Sequence, residues 1–152
     1  MCSDEIQTGF GRTGKMMCVD WEDVRPDILI MGKSMSGGML PVSGCVADDY
    51  IMKHIGPGDH GSTYGGNPLA MATSLAAVKT LVEEGMIENS ARLGPIFKTE
   101  LEKINSPLIK EVRGRGLFVG VEIKEGKDIA VTGVHLAKIL AKHGILTKAT
   151  HD

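Results

Sequence analysis

The chain has 152 residues, long enough to bury a real core as one domain or a small pair. Its 17 basic and 19 acidic residues nearly cancel, which argues against a nucleic-acid or anionic-membrane surface. Cys2, Cys18 and Cys45 are odd in number and form no C-x-x-C pair, so they read as reduced thiols of an intracellular protein; no signal peptide and no apolar run of about 18 residues is visible.

Twenty glycines, without a collagen-like period, point to many tight turns and close backbone approaches. The first 26 residues open abruptly on Met1-Cys2-Ser3 and Asp4-Glu5-Ile6-Gln7-Thr8. Gly9, Gly11 and Gly14 match G-x-G-x-x-G, but no strand precedes them and no helix clearly follows, which argues against a dinucleotide site. Gly14-Lys15 imitates a phosphate loop, yet Met16 has no hydroxyl for magnesium.

Asp27 to Met31 is an apolar run closed by Gly32, the pattern of a buried strand, and it delivers Lys33 into a Gly/Ser loop ending at Gly37-Gly38. Sheets of this kind carry reactive groups beyond the carboxyl ends of their strands. From the local pattern, Lys33 is either a solvated surface lysine or a partly desolvated amine suited to Schiff-base chemistry. Pro41–Ala47 is small and β-branched enough for a strand in a crowded sheet interior, and a short helix is expected from Asp48 to His54. Gly56–Pro68 is too glycine-rich for an element; it is a connecting loop or an anion nest made by hydroxyls and backbone N–H groups.

Asn67-Pro68 supplies an N-cap and an N1 proline for a helix from about Leu69 to Glu84, apolar on most faces and therefore expected to be buried, with Gly85 beyond its end. A second helix covers about Met86 to Ile104, with a Glu88/Arg92 pair and a kink or break at Gly94-Pro95. The period then changes to two: Ile109–Arg113 and Leu117–Ile123 read as strands joined through Gly114-Arg115-Gly116. A helix from about Thr132 to His143 stops at Gly144, and Ile145–Lys148 begins another strand. The five histidines show no metal-ligand spacing, so no metal site is expected. Arg113 and Arg115 are anion ligands or, more commonly for turn-flanking positions, surface charges. The pattern is α/β for the first part and a smaller α+β unit for the second.

Three ordered motifs then add a resemblance. Asp4-Glu5-Ile6-Gln7-Thr8-Gly9 through Gly14, Gly32-Lys33-Ser34-x-Ser36-Gly37-Gly38, and His60–Pro68 together resemble the class III pyridoxal-phosphate aminotransferases. Val24–Asp27, Pro41–Ser43, Pro57–His60 and Val112–Leu117 are most similar to the ornithine aminotransferase group of that family. The resemblance implies part of the large domain of a fold type I pyridoxal-phosphate transferase over 1–85 and part of its small C-terminal domain over 86–152. It implies a transaminase taking an amino acid and a 2-oxo acid, with ornithine converted to glutamate 5-semialdehyde. Acetylornithine and other ω-amino acid aminotransferases, or a catalytically dead paralogue that binds a partner, are the alternatives.

By the same resemblance, Lys33 matches the lysine that carries pyridoxal phosphate as a Schiff base and then shuttles a proton. Asp4 matches the carboxylate under the pyridine nitrogen, and Gln7 a residue at the phenolic oxygen. Ser62 and Thr63 match phosphate ligands that reach the neighbouring subunit's site, which implies a homodimer or higher homo-oligomer. The implied compartment is cytoplasm or mitochondrial matrix. Glu5, Arg12 and Tyr64 lie inside the motifs with no chemistry assigned. The family's phosphate cup, ring-stacking aromatic and carboxylate-binding arginine have no counterpart here, so the chain reads as a fragment, expected to associate and to lack appreciable turnover alone.

Overall fold

A computed structural model describes residues 1–124 and 131–150. Two sheets organise them. The first contains β1 (Cys2–Asp4), β2 (Ile28–Met31) and β3 (Gly44–Ala47) in that spatial order. β1 and β2 run parallel, with Asp4 opposite Ile30; β3 closes the other side of β2 antiparallel, with Cys45 opposite Ile30. The second sheet is the antiparallel hairpin of β4 (Ile109–Arg115) and β5 (Phe118–Ile123), with an irregularity between Ile109 and Glu111. The helices are α1 (Asp49–Met52), α2 (Pro68–Glu83), α3 (Met86–Glu102) and α4 (Gly133–Lys142), with 3-10 turns at Cys18–Trp21 and Lys33–Ser36.

The local stop and start signals act as their chemistry demands. Asn67 Oδ1 accepts the Ala70 amide at 2.9 Å, and Pro68 occupies the first turn, where no N–H is needed. Gly85 takes φ +63° between α2 and α3, and Gly144 takes φ +80° after α4. Thr132 caps α4 through the His135 amide at 3.3 Å.

Several expectations are corrected. β2 is half-buried rather than buried, because the described residues cover only part of each face. β3 is shorter than Pro41–Ala47 and lies at the edge of its sheet, with Cys45 and Val46 exposed. α2 is not a buried helix: Ala70 and Ser74 are its buried residues, while Leu69, Leu75 and Val82 are 67 %, 57 % and 54 % exposed. Its apolar character on most faces exceeds what the Lys33–Ser36 turn and α3 cover. α3 runs unbroken through Gly94-Pro95, and Arg92 donates to Asn89 Oδ1 at 2.7 Å rather than pairing with Glu88. Ile145–Lys148 forms no strand, since no described strand lies beside it to complete a ladder.

The glycine-rich loop read as a false dinucleotide motif has a packing role. It docks the first sheet's connection onto α3 and the β4–β5 turn. Arg12 O accepts both Ser90 Oγ and the Leu117 amide at 3.0 Å. A Cβ on Gly94 would lie 2.3 Å from Gly116 O, and one on Gly116 would lie 2.4 Å from the Thr13 carbonyl carbon. Helix, turn and loop therefore meet backbone to backbone. Trp21 reinforces the junction by donating Nε1–H to Thr13 O at 3.2 Å and receiving Lys15 and Arg115 over its ring at 5.3 and 5.4 Å.

Candidate functional site

Parallel pairing puts the carboxyl ends of β1 and β2 on one edge of the sheet. Asp4 is the last residue of β1, and the Glu5 amide still donates to Ile30 O at 2.8 Å. On β2, Met31 and an extended Gly32 carry the chain to Lys33, which starts a 3-10 turn held by Met35 N to Gly32 O at 3.1 Å. Neighbouring strands lie about 4.8 Å apart, so Asp4 and Lys33 emerge from adjacent strand ends. That is the place where open α/β sheets hold ligands.

Lys33 has φ +45°, the left-handed region that a non-glycine residue enters at a cost of about 1–2 kcal/mol. Such strain collects at functional positions. The turn is pinned by Ser36, which is fully buried, donates Oγ–H to Leu40 O and accepts the Leu40 amide at 3.2 Å. Lys33 is exposed, as in the solvated one of the two readings its local pattern allows. Among the described residues its amine makes no hydrogen bond or ion pair. Asp4 is also exposed, and one carboxylate oxygen accepts the Ile6 amide at 3.1 Å. Gln7 lies exposed in the turn that follows Asp4.

Ser62 and Thr63 are not joined to that edge by any hydrogen bond among the described residues. They occupy the exposed loop before α2, where Ser62 Oγ accepts the Gly65 amide at 2.9 Å and Asn67 Nδ2 donates to Tyr64 O at 2.8 Å. The two arginines considered as anion ligands are engaged with carboxylates. Arg113 pairs with Glu122 and with Glu111, and Arg115 donates to Glu22 at 2.8 Å. Hydrogen bonds from Lys110 and Arg113 hold the Glu122 carboxyl below its ordinary range.

One group escaped the reading of the motifs. Glu5, left without chemistry there, is 2 % exposed and is the one buried charged residue described. Its carboxylate accepts Thr8 Oγ1–H and the amides of Cys18 at 3.0 Å and Val19 at 2.8 Å. A threonine three residues on does not by itself mark a buried carboxylate, and the amides thirteen and fourteen positions away leave no signal in the sequence. An open cleft beside β1 is lined by Ser3, Asp4, Glu5, Thr8, Cys18 and Arg115. The described residues include no group of three or more His, Cys, Asp or Glu able to hold a metal ion, and no helix long and apolar enough to cross a membrane.

Known proteins share both the sequence and the fold. The family described as Aminotransferase class-III matches residues 1–152. The ornithine aminotransferase of Bacillus subtilis is 49 % identical over 150 residues, covering 99 % of this chain and 36 % of its own length. Mitochondrial ornithine aminotransferase of Oryza sativa is 45 % identical over 155 residues, covering 100 % of this chain and 33 % of its own. Among solved structures, ornithine aminotransferase of Plasmodium yoelii superposes with a TM-score of 0.91 at 42 % identity, covering 98 % of this chain and 40 % of that one. Acetylornithine aminotransferase of Elizabethkingia anophelis gives 0.87 at 46 % identity, over 96 % of this chain and 37 % of that one. This chain thus spans about a third of the length of the relatives it matches, and the architecture is that part of the fold type I transferases. A family match over every residue, 49 % identity to a relative and a superposition at a TM-score of 0.91 lead to one assignment: the chain belongs to the class III aminotransferases.

Proposed function

We propose that this chain provides the cofactor lysine and the ring carboxylate of an ornithine aminotransferase-like enzyme that uses pyridoxal 5'-phosphate. The observation that carries the reading is the emergence of Lys33 and Asp4 from the ends of adjacent parallel strands. The residues fit the group: an unengaged primary amine suits its aldehyde, and an exposed carboxylate with one oxygen free suits its pyridine N–H. When bound, pyridoxal phosphate supplies an electron sink for a carbanion. Lys33 Nζ would be the amine that holds the cofactor and the base that carries a proton. Asp4 would be the anion that keeps the ring nitrogen protonated, and Gln7 would serve the phenolic oxygen. Ser62 and Thr63, on their exposed loop, hold phosphate across a homodimer.

In this reading residues 1–85 belong to the large cofactor domain and 86–152 to the small domain of an intracellular enzyme. The reaction moves the δ-amino group of ornithine to a 2-oxo acid, giving glutamate 5-semialdehyde and an amino acid. A second reading, acetylornithine as donor, is favoured by the 46 % identity to an acetylornithine aminotransferase.

The test is chemical. Borohydride reduction with pyridoxal phosphate, followed by peptide mapping, should place the cofactor on Lys33 and leave Lys15, Lys53 and Lys148 unlabelled. Scatter over several lysines overturns the assignment. In the longest natural polypeptide containing this chain, ornithine should discharge the bound cofactor's visible absorbance faster than acetylornithine; the reverse order selects the second reading. Retention of the absorbance with both donors points to a dead paralogue.

A further inference from the structure

Glu5 is buried, charged and unused by the chemistry above. Taking a carboxylate out of water costs several kcal/mol unless donors replace the lost hydration. Here the replacement comes without a cation: no lysine or arginine among the described residues pairs with Glu5. Oε2 accepts Thr8 Oγ1–H and the Cys18 amide, while Oε1 accepts the Val19 amide and, at 3.4 Å, Ser3 Oγ–H. Cys18 and Val19 begin the 3-10 turn that carries Trp21. One carboxylate therefore ties the end of β1 to the far end of the loop that leaves it.

The main chain of Glu5 is fixed as firmly. Its N–H donates to Ile30 O at 2.8 Å and its C=O accepts the Gly9 amide at 2.9 Å. A Cβ on Gly9 would sit 2.8 Å from that same oxygen, so the contact leaves no slack. Asp4, the next residue back, has the opposite character. It is exposed, and the single hydrogen bond to its side chain comes from the Ile6 amide, on the other side of Glu5. Glu5, one residue beyond β1, is thus buried and held, while the Asp4 carboxylate before it stays exposed.

We propose that Glu5 is a positioning residue for Asp4: its buried hydrogen-bonded carboxylate locks the strand end so that the Asp4 carboxylate is aimed before any cofactor arrives. The inference rests on the role of Asp4 proposed above. Preorganisation of this kind spares the ligand the cost of ordering the group that receives it. The loop also packs on α3 and the β4–β5 turn, so Glu5 links the aim of Asp4 to the junction between the two sheets.

The test uses Glu5→Gln in the 152-residue chain, with and without Asp4→Asn. Glutamine keeps the shape but replaces one acceptor with a donor that faces a backbone N–H. Hydrogen exchange at Ile6, Cys18 and Val19 needs no ligand; it should accelerate about tenfold, the loss of one charge-assisted hydrogen bond. Pyridoxal-phosphate affinity, read from visible absorbance, should fall about tenfold with Asp4 present and less than about twofold in the Asp4→Asn background. Equal losses in both backgrounds make Glu5 a general structural residue and overturn the inference, as does unchanged exchange at Ile6. If the native chain takes no cofactor on Lys33, the functional reading fails, and Ile6 exchange alone then decides the positioning role. Thr8→Val, which removes one donor isosterically, should give the same pattern more weakly and serves if Glu5→Gln does not fold.

Discussion

Replacing Gly94 with alanine sets two physical effects against each other. In the interior of α3, alanine is preferred over glycine by about 1 kcal/mol, so propensity alone predicts a more stable protein. The junction predicts the opposite. A Cβ at this position lies 2.3 Å from Gly116 O and 2.5 Å from Gly116 Cα and carbonyl carbon, all main-chain atoms. Main chain cannot swing aside as a side-chain tip can. Gly116 is itself held, with its own Cβ direction filled by Thr13 and Gly14 and the Leu117 amide bound to Arg12 O. Overpacking of this kind costs about 3 kcal/mol at the upper end of its usual range. The net change for Gly94→Ala is a loss of about 2 kcal/mol, lowering the thermal midpoint by about 4–8 °C. Circular dichroism at 222 nm against temperature measures it. Gly120→Ala is the control, because a Cβ there would meet Arg113 O no closer than 4.0 Å, and it should be neutral or slightly stabilising. An unchanged or raised midpoint for Gly94→Ala would refute the backbone-to-backbone junction.

Four further outcomes are expected. Lys33→Gly removes left-handed strain of about 1–2 kcal/mol at a glycine entropy cost of about 0.5–1 kcal/mol, so stability should hold or rise while borohydride-fixed cofactor disappears; a destabilised variant counts against the strain. Asn67→Ala should cost about 1 kcal/mol in chemical denaturation by leaving the Ala70 amide uncapped, and a neutral result would remove the cap from the account of α2. Glu122 has its carboxyl held low by Lys110 and Arg113, so its contribution is present at neutral pH and fades as pH falls through that lowered range; Lys110, raised by Glu122, loses its part only as pH climbs past the ordinary lysine range. Glu122→Gln and native midpoints should accordingly converge in acid and in high salt, and a gap that persists there is evidence against the ion pair. Finally, the exposed apolar side chains of α2 should make the chain self-associate at micromolar concentration, with Leu75→Glu lowering the mass seen by sedimentation equilibrium; a native chain that sediments as a monomer contradicts this.

The sequence by itself determined features whose causes lie within a few residues. Asn67-Pro68 starts α2, while Gly85 and Gly144 turn the chain after α2 and α4, through capping and positive-φ chemistry that is complete locally. Alternation over Ile109–Arg113 marks a strand because side chains alternate faces whatever they meet. The placement of Lys33 at a strand end is legible for the same reason, since an apolar run closed by glycine is a local pattern; that of Asp4 is not, because three residues without such a run become β1 only by pairing with β2. Only the tertiary structure decided what each surface meets. Gly94-Pro95 reads as a kink or break in the sequence, yet α3 continues through it, with Gly94 seated against Gly116. α2 was read as buried, yet the described residues cover only part of it, and no pattern within a helix states how many neighbours it will have. The glycine loop reads as a failed ligand motif until Arg12 O is seen to receive Ser90 from 78 positions away. Glu5 resembles any surface glutamate in the sequence, because its burial is set by amides 13 and 14 residues distant that only folding brings to it.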